Sequence, residues 1–281
     1  MPVVREKREN SLWLTEEQTE GLRLSLKVDD VVFRRRSEYQ EILIVDTPEY
    51  GRVLVLDGAV QITERDEFCY SEMMAHVPLC AHPCPRRVLI AGGGDGAILR
   101  EVLKHPEVER CVLLDIDREV VEASKLYMPW ASARLEDPRA DVKNVDAMEF
   151  IRRTDERFDA AIIDSTDPVD FAAGFFQAPF YSDVKGVLNE GGIVATLTES
   201  PFCDGALMRQ AVSEMRSVFR NARVYWGAVP TYPSGMWTYC AASDSADPSV
   251  PLRTVHDARY YTEAVHRAAF VLPKFLAECF A

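Results

Sequence analysis

The chain has 281 residues with 47% apolar content, ample for a sizeable buried core, and its 32 Lys and Arg against 45 Asp and Glu give a formal charge of −13. That field repels nucleic acid and anionic membranes and attracts cations, so we expect no nucleic-acid partner, no membrane association and a cationic small molecule as ligand. No apolar run approaches the roughly 18 residues of a membrane span, and the first residues lack the apolar stretch of a signal peptide, so the chain reads as cytoplasmic. The seven cysteines (69, 80, 84, 111, 203, 240 and 279) are scattered with no C-x-x-C pair, which fits reduced thiols. Cys80-Ala-His82-Pro-Cys84 groups three soft ligands without a second cluster to complete a tetrahedral site, and no metal is expected.

Residues 1–20 are charged and weakly patterned apart from Leu12-Trp13-Leu14. From Leu22 the apolar period becomes two: Leu22, Leu24, Leu26 and Val28 alternate with polar residues, residues 31–33 and 41–45 follow, and residues 53–62 read as a hairpin with Asp57-Gly58 in its turn. This predicts a small N-terminal antiparallel β domain over residues 1–62, with the remainder, 63–281, forming a second unit. A helix then begins with Thr63 as its cap and ends before Pro78, placing Asp66, Tyr70, Met73 and Val77 on one face. Tyr70 is there either an interface aromatic or a ligand-facing one.

After Pro85 strands and helices alternate, which predicts a doubly wound parallel sheet covered on both faces. Strands are expected near 87–92, 111–115, 141–145, 158–164, 192–198, 223–229 and 236–242, with helices near 96–104, 118–127, 147–153, 179–188 and 204–219. The first of these strands runs into Gly92-Gly93-Gly94-Asp95-Gly96 and then a helical pattern, a turn that presents bare backbone N–H groups to a ligand. Gly92, Gly94 and Ala97 also satisfy the dinucleotide spacing G-x-G-x-x-A, so spacing leaves NAD and S-adenosylmethionine both open. Asp95 favours the latter type, because a carboxylate in the loop repels a pyrophosphate and attracts a sulfonium ligand bearing an ammonium group.

In open α/β sheets the ligand crevice lies beyond the carboxyl ends of the strands, and here those ends are acidic in succession: Asp95, Asp115, Asp146 and Asp164. Asp115 is placed to take a ribose diol and Asp146 an adenine amino group, although each alone is equally a turn or capping residue. Asp164 and Asp167 repel each other when empty and become favourable around a cation, which points to an amine substrate. Glu199 and the Thr231-Tyr232-Pro233-Ser234-Gly235 turn extend the same side with an acid and an aromatic face.

These motifs together resemble spermidine synthase and its aminopropyltransferase relatives: Leu56-Asp57-Gly58-x-x-Gln61-x-Thr63-Glu64-x-Asp66-Glu67-Phe68-x-Tyr70-x-Glu72-Met73, the glycine loop, Asp164-Ser165-Thr166-Asp167-Pro168, Pro230-Thr231-Tyr232-Pro233-Ser234-Gly235 and Tyr260-Tyr261-x-x-x-x-His266-x-Ala268-x-Phe270-x-Leu272-Pro273. The resemblance runs from about residue 22 to 276. It implies a Rossmann-like, class I methyltransferase-type seven-stranded sheet behind the small β domain, and a homodimer or homotetramer. It implies transfer of the aminopropyl group of decarboxylated S-adenosylmethionine, a co-substrate and not a tightly bound cofactor, to putrescine, giving spermidine and methylthioadenosine. Asp164 would be the proton acceptor, and Tyr70, Asp167, Tyr232 and Glu199 would hold the amine. Gln40, Gln61, Gly92, Gly94, Asp95, Asp115, Asp146 and Ala147 would hold the donor, under a lid at residues 165–177.

The chain departs from the family pattern at Ser71, Asp115, Ala147, Asp170-Phe171 and Leu197. Ser71, Leu197, Asp170 and Phe171 would line the acceptor side, which keeps cadaverine, agmatine or a longer polyamine as alternative acceptors. An amine N-methyltransferase on the same scaffold is the other enzymatic alternative, opposed by Asp95, which repels a donor that keeps its carboxylate. A non-catalytic polyamine-binding protein is the alternative from another class.

Overall fold

The computed structural model describes residues 3–4, 11–165 and 177–280. The N-terminal part folds as two antiparallel sheets rather than one. Strands β1 (Val3–Val4), β2 (Leu12–Thr19) and β3 (Leu22–Val28) form the first, and β4 (Asp30–Arg36), β5 (Glu41–Thr47), β6 (Gly51–Leu56) and β7 (Ala59–Thr63) form the second. The near-continuous apolar run of β5 follows from burial on both faces. Leu43 and Val45 pack with Leu14, Leu26 and Val28 of the outer sheet, whereas Ile42 and Ile44 pack on Ala97, Val120 and Met128 of the main body. The hairpin turn falls at Asp57 and Gly58, both at positive φ (46° and 92°), as a two-residue turn with a right-handed strand twist requires.

Helix α1 (Glu67–Ala81) follows, and it departs from the sequence expectation at both ends. Thr63 is not its cap: Asp66 occupies that position, and Thr63 Oγ1 instead donates to Asp66 Oδ1 at 2.6 Å. Pro78 lies inside the helix, which continues to Ala81. The helix is buried nearly all round, so packing on every side carries the hydrogen bond that proline forfeits.

The main sheet has strand order β10-β9-β8-β11-β12-β14-β13, formed by β8 (Arg87–Gly92), β9 (Arg110–Leu114), β10 (Ala140–Lys143), β11 (Phe158–Asp164), β12 (Leu188–Glu199), β13 (Asn221–Ala228) and β14 (Met236–Ser243). It is mixed rather than wholly parallel. The connection between β13 and β14 is too short for a crossover, so the two pair as a hairpin, and β14 inserts antiparallel beside β12. Helices α2 (Ala97–Val102), α3 (Arg118–Tyr127), α4 (Pro129–Ser132), α5 (Ala147–Arg153), α6 (Ala178–Val187) and α7 (Gly205–Val218) complete the α/β unit, and α8 (Glu263–Ala269) and α9 (Lys274–Glu278) close the chain. Apolar clusters cover both faces: α1 and α2 pack on one, α5, α6 and α7 on the other. Because β8 is flanked by β9 and β11, the order reverses there, and a crevice opens at the carboxyl ends of these strands. No helix among the described residues is long and apolar enough to cross a membrane.

Candidate active site

The register of β8 with β11 pairs Gly92 with Asp164, so the glycine loop and the acid that ends β11 lie side by side. Two of the glycines are dictated by close approaches, one to each neighbouring strand's acid. Gly92 has φ 89° and a Cβ there would meet the Asp164 carbonyl oxygen at 1.8 Å; a Cβ on Gly94 would meet Asp115 Oδ2 at 2.4 Å. The bare Gly94 N–H instead donates to Asp115 Oδ2 at 2.8 Å, while Asp117 N donates to Asp115 Oδ1 at 2.8 Å. Asp95 accepts from Ala97 N at 2.8 Å in the first turn of α2.

Three carboxyl groups therefore converge from three adjacent strands. Burial pushes Asp164 up to about 7, with the charges of Asp95 and Asp115 adding to the rise while the Tyr70 hydrogen bond opposes it. Burial likewise raises Asp115 to about 6 against the lowering effect of its two backbone donors, with Asp117 and Asp95 raising it further. Asp95 is raised too, again chiefly by burial. Acids that resist ionising together are relieved by a cation, so the crevice is prepared for positive charge.

Tyr70, on α1, donates its hydroxyl to Asp164 Oδ1 at 2.5 Å. Burial and the adjacent Asp164 charge hold the Tyr70 phenol far above its ordinary range, so it stays a donor. Its ring lies 5.3 Å from that of Tyr232 and 5.8 Å from that of Tyr239, and Trp237 meets Tyr232 edge-on at 4.8 Å. These rings form an aromatic wall beside Asp164, of the kind that attracts an ammonium group. Glu199 ends β12 nearby in sequence register, buried and at φ 80°, opposite Thr238.

Gln40 reaches the crevice from the N-terminal part: its Nε2 donates to Asp117 Oδ2 at 2.9 Å, and Ser37 Oγ donates to the same oxygen at 2.6 Å. Gln61 stands on the Tyr232 side, where its carbonyl accepts the Tyr232 hydroxyl at 2.7 Å. Asp146 caps α5, accepting from Met148 N and Glu149 N through Oδ1, and Ala147 is the buried first residue of that helix. Asp146 thus has the capping role that the sequence left open. Ser71 turns away from the crevice. It is 1% exposed and donates to Glu67 on its own helix at 2.7 Å, so it does not line the acceptor side. Leu197 is buried in the core cluster that includes Tyr70 and Tyr239. Asp167, Asp170, Phe171 and most of the expected lid lie outside the described residues.

Several residues organise the site through contacts that the sequence reading did not assign to them. Asp117 and Ser37 seat Gln40; Asp66 accepts from Thr231 N and Oγ1 at 2.9 and 2.8 Å. Glu72, fully buried, accepts from the backbone N–H groups of Arg259, Tyr260 and Tyr261 at 2.7, 2.7 and 2.8 Å. These bonds join residues far apart in sequence, and no local pattern announces them. Cys80, His82 and Cys84 form no metal cluster among the described residues; His82 Nδ1 accepts from Cys84 N at 3.1 Å.

Residues 67–254 match the family model of the spermine/spermidine synthase domain, and residues 12–64 match the spermidine synthase tetramerisation domain. The chain belongs to the spermidine synthase family. As a member it is an aminopropyltransferase. It is 45% identical over 273 residues to the polyamine aminopropyltransferase of Caldicellulosiruptor bescii, covering 96% of this chain and 98% of that one. The polyamine aminopropyltransferase of Bacillus subtilis is 40% identical over 276 residues, covering 96% and 99% respectively. A crystal structure of spermidine synthase in complex with the transition-state analogue AdoDATO superposes with a TM-score of 0.92 at 39% identity, over 99% of this chain and 97% of that one. Spermidine synthase from Thermotoga maritima gives 0.91 at 39% identity, with the same coverage.

Proposed function

We propose that this enzyme transfers the aminopropyl group of decarboxylated S-adenosylmethionine to putrescine, releasing spermidine and methylthioadenosine, with Asp164 as the proton acceptor. The observation that carries this reading is the Tyr70–Asp164 pair at 2.5 Å, set between the aromatic wall and the acids of the glycine loop. A primary amine with an ordinary pKa of about 10.4 is neutral in roughly one molecule per thousand near pH 7, so a nucleophilic amine needs a group to take its proton. Asp164 orients the ammonium and removes that proton as nitrogen attacks the methylene beside the sulfonium. The C–N bond forms, the C–S bond breaks, and the sulfonium sulfur leaves as a neutral thioether. Proximity and orientation supply most of the remaining acceleration.

In this reading Tyr70, Tyr232, Asp167 and Glu199 hold the amine. Asp95 meets the donor's ammonium, Asp115 its ribose, and Asp146 with Ala147 its adenine; Gly92 and Gly94 give the backbone approach and Gln40 and Gln61 close the donor pocket. Residues 1–62 serve assembly into a homodimer or homotetramer, 63–281 catalysis, and the enzyme acts in the cytoplasm. Asp95 also separates decarboxylated donor from S-adenosylmethionine, whose carboxylate it would repel.

The test is to incubate the protein with decarboxylated S-adenosylmethionine and, in separate reactions at equal concentration, putrescine, cadaverine, agmatine or spermidine, and to identify products by mass. Spermidine forming fastest, with stoichiometric methylthioadenosine, is the expected result. Faster aminopropyl transfer to another amine would overturn putrescine as acceptor, and methylated amine formed from S-adenosylmethionine would overturn aminopropyl transfer by this site.

A further inference from the structure

The loop that carries Tyr232 hangs from the junction of β7 and α1, and we propose that Asp66 is the positioning residue of the amine-acceptor half of the site, acting on Tyr232 through Thr231. The proposal rests on the assignment of the amine to the Tyr70 and Tyr232 side of Asp164. Asp66 is 4% exposed and both of its oxygens are engaged: Oδ1 by Thr63 Oγ1 at 2.6 Å, Oδ2 by Thr231 N at 2.9 Å and Thr231 Oγ1 at 2.8 Å. Bonds to a carboxylate are about twice as strong as neutral ones, so this is a firm tether between residues 165 positions apart.

What the tether moves is a rigid unit. The loop is closed on itself by Val229 N to Gly235 O (3.1 Å), Tyr232 N to Val229 O (3.0 Å) and Gly235 N to Tyr232 O (2.9 Å). A displacement of Thr231 is therefore passed to Tyr232. The Tyr232 hydroxyl is held by the Gln61 carbonyl at 2.7 Å, so the loop is hung three times from residues 61–66. The same junction starts α1, which one turn on carries Tyr70 and is immobilised by burial and by the three backbone bonds to Glu72. Asp66 thus fixes one aromatic face of the acceptor wall relative to the other, at 5.3 Å, without touching the donor loop. The far end of the loop is tied separately, Ser234 Oγ to Ser200 Oγ at 2.8 Å, so loss of Asp66 releases one side and not the whole loop.

The test uses the full chain as Asp66→Asn, Thr231→Val, Thr231→Ser and the Asp66→Asn/Thr231→Val double variant, with amine and donor varied separately. Asp66→Asn is expected to raise KM for putrescine about tenfold and Thr231→Val about threefold, with KM for the donor and kcat changed less than about twofold. Thr231→Ser, which keeps both bonds, is expected to match the parent, and the double variant to be no worse than Asp66→Asn alone, because both remove the same link. Putrescine titrated against the intrinsic fluorescence of the four tryptophans reads acceptor binding without turnover, since one of them, Trp237, abuts Tyr232. Putrescine KM and fluorescence titration both within twofold of the parent in Asp66→Asn and Thr231→Val would overturn the proposal, as would equal rises for amine and donor. If Asp66→Asn fails to fold, the contrast of Thr231→Val with Thr231→Ser decides. A parent that transfers an aminopropyl group to no amine defeats the proposed function, and the fluorescence titration then decides the role of Asp66 on its own.

Discussion

Asp164 is drawn in two directions at the scale of single residues. Burial and the charges of Asp95 and Asp115 hold it near about 7, while Tyr70 stabilises its ionised form. A base must be ionised to accept a proton, so kcat/KM for the amine is expected to rise with pH through about 7, and a pH–rate profile that stays flat between 6 and 8 would contradict that. Asp164→Asn keeps the shape and removes the base, and a loss of about 10² to 10⁴ in kcat is expected by steady-state assay. The same acids predict a stability signature. Asp164 near about 7 and Asp115 near about 6 are raised from 3.8, so the empty folded protein binds more protons than the unfolded chain over this span. Their contribution is fully present below the unfolded value and is lost as pH rises through 6 and then 7. A cationic ligand offsets that loss, so putrescine or donor should raise the melting temperature more at about pH 8 than at about pH 5; equal shifts would show the acids to be uninvolved.

At the scale of elements, the β8 to α2 turn depends on two absent Cβ atoms, each for a different reason. Gly92→Ala forces a left-handed backbone and a collision with the Asp164 carbonyl, and is expected to cost about 1 to 3 kcal/mol in denaturant unfolding with loss of activity. Gly94→Ala displaces the Asp115 carboxylate instead, at ordinary backbone angles, so its main effect should be on binding. Methylthioadenosine affinity measured by calorimetry is expected to fall tenfold or more, with stability changed less than in Gly92→Ala; the reverse ranking would contradict this assignment. The glycine run was visible in sequence, because three consecutive glycines after an apolar strand give up packing that a mere turn does not require. Which glycine serves which acid was not visible, since that follows from the register of β8 with β11 and the fall of the chain after β9.

Over the whole molecule, the charge of −13 gives a field that attracts cations, as the proposed amine acceptor requires. Long-range steering predicts that raising salt from about 20 to 300 mM lowers kcat/KM for putrescine severalfold while kcat holds; an unchanged specificity constant would exclude it. The match of residues 12–64 to a tetramerisation domain suggests that the chain assembles, and light scattering is expected to give a mass of two or four chains against 31.7 kDa for one.

Sequence by itself determined the order of elements in the α/β unit, the hairpin at Asp57-Gly58, the glycine loop and the acids that end successive strands. All of these are written in local periods and local turn chemistry, which act before any distant contact forms. Tertiary structure alone decided the rest. The helix after residue 66 runs through Pro78 because packing on all sides outweighs one lost hydrogen bond. Ser71 faces Glu67 because that carboxylate lies one turn back on a buried helix. Strand β14 inserts between β12 and β13 because a short connection permits only antiparallel pairing. Gln40 on Asp117, Thr231 on Asp66 and residues 259–261 on Glu72 are bonds across 77, 165 and up to 189 positions, set by where the sheets and α1 come to rest. A buried polar group must find a partner, but the chain order does not say which one it will meet.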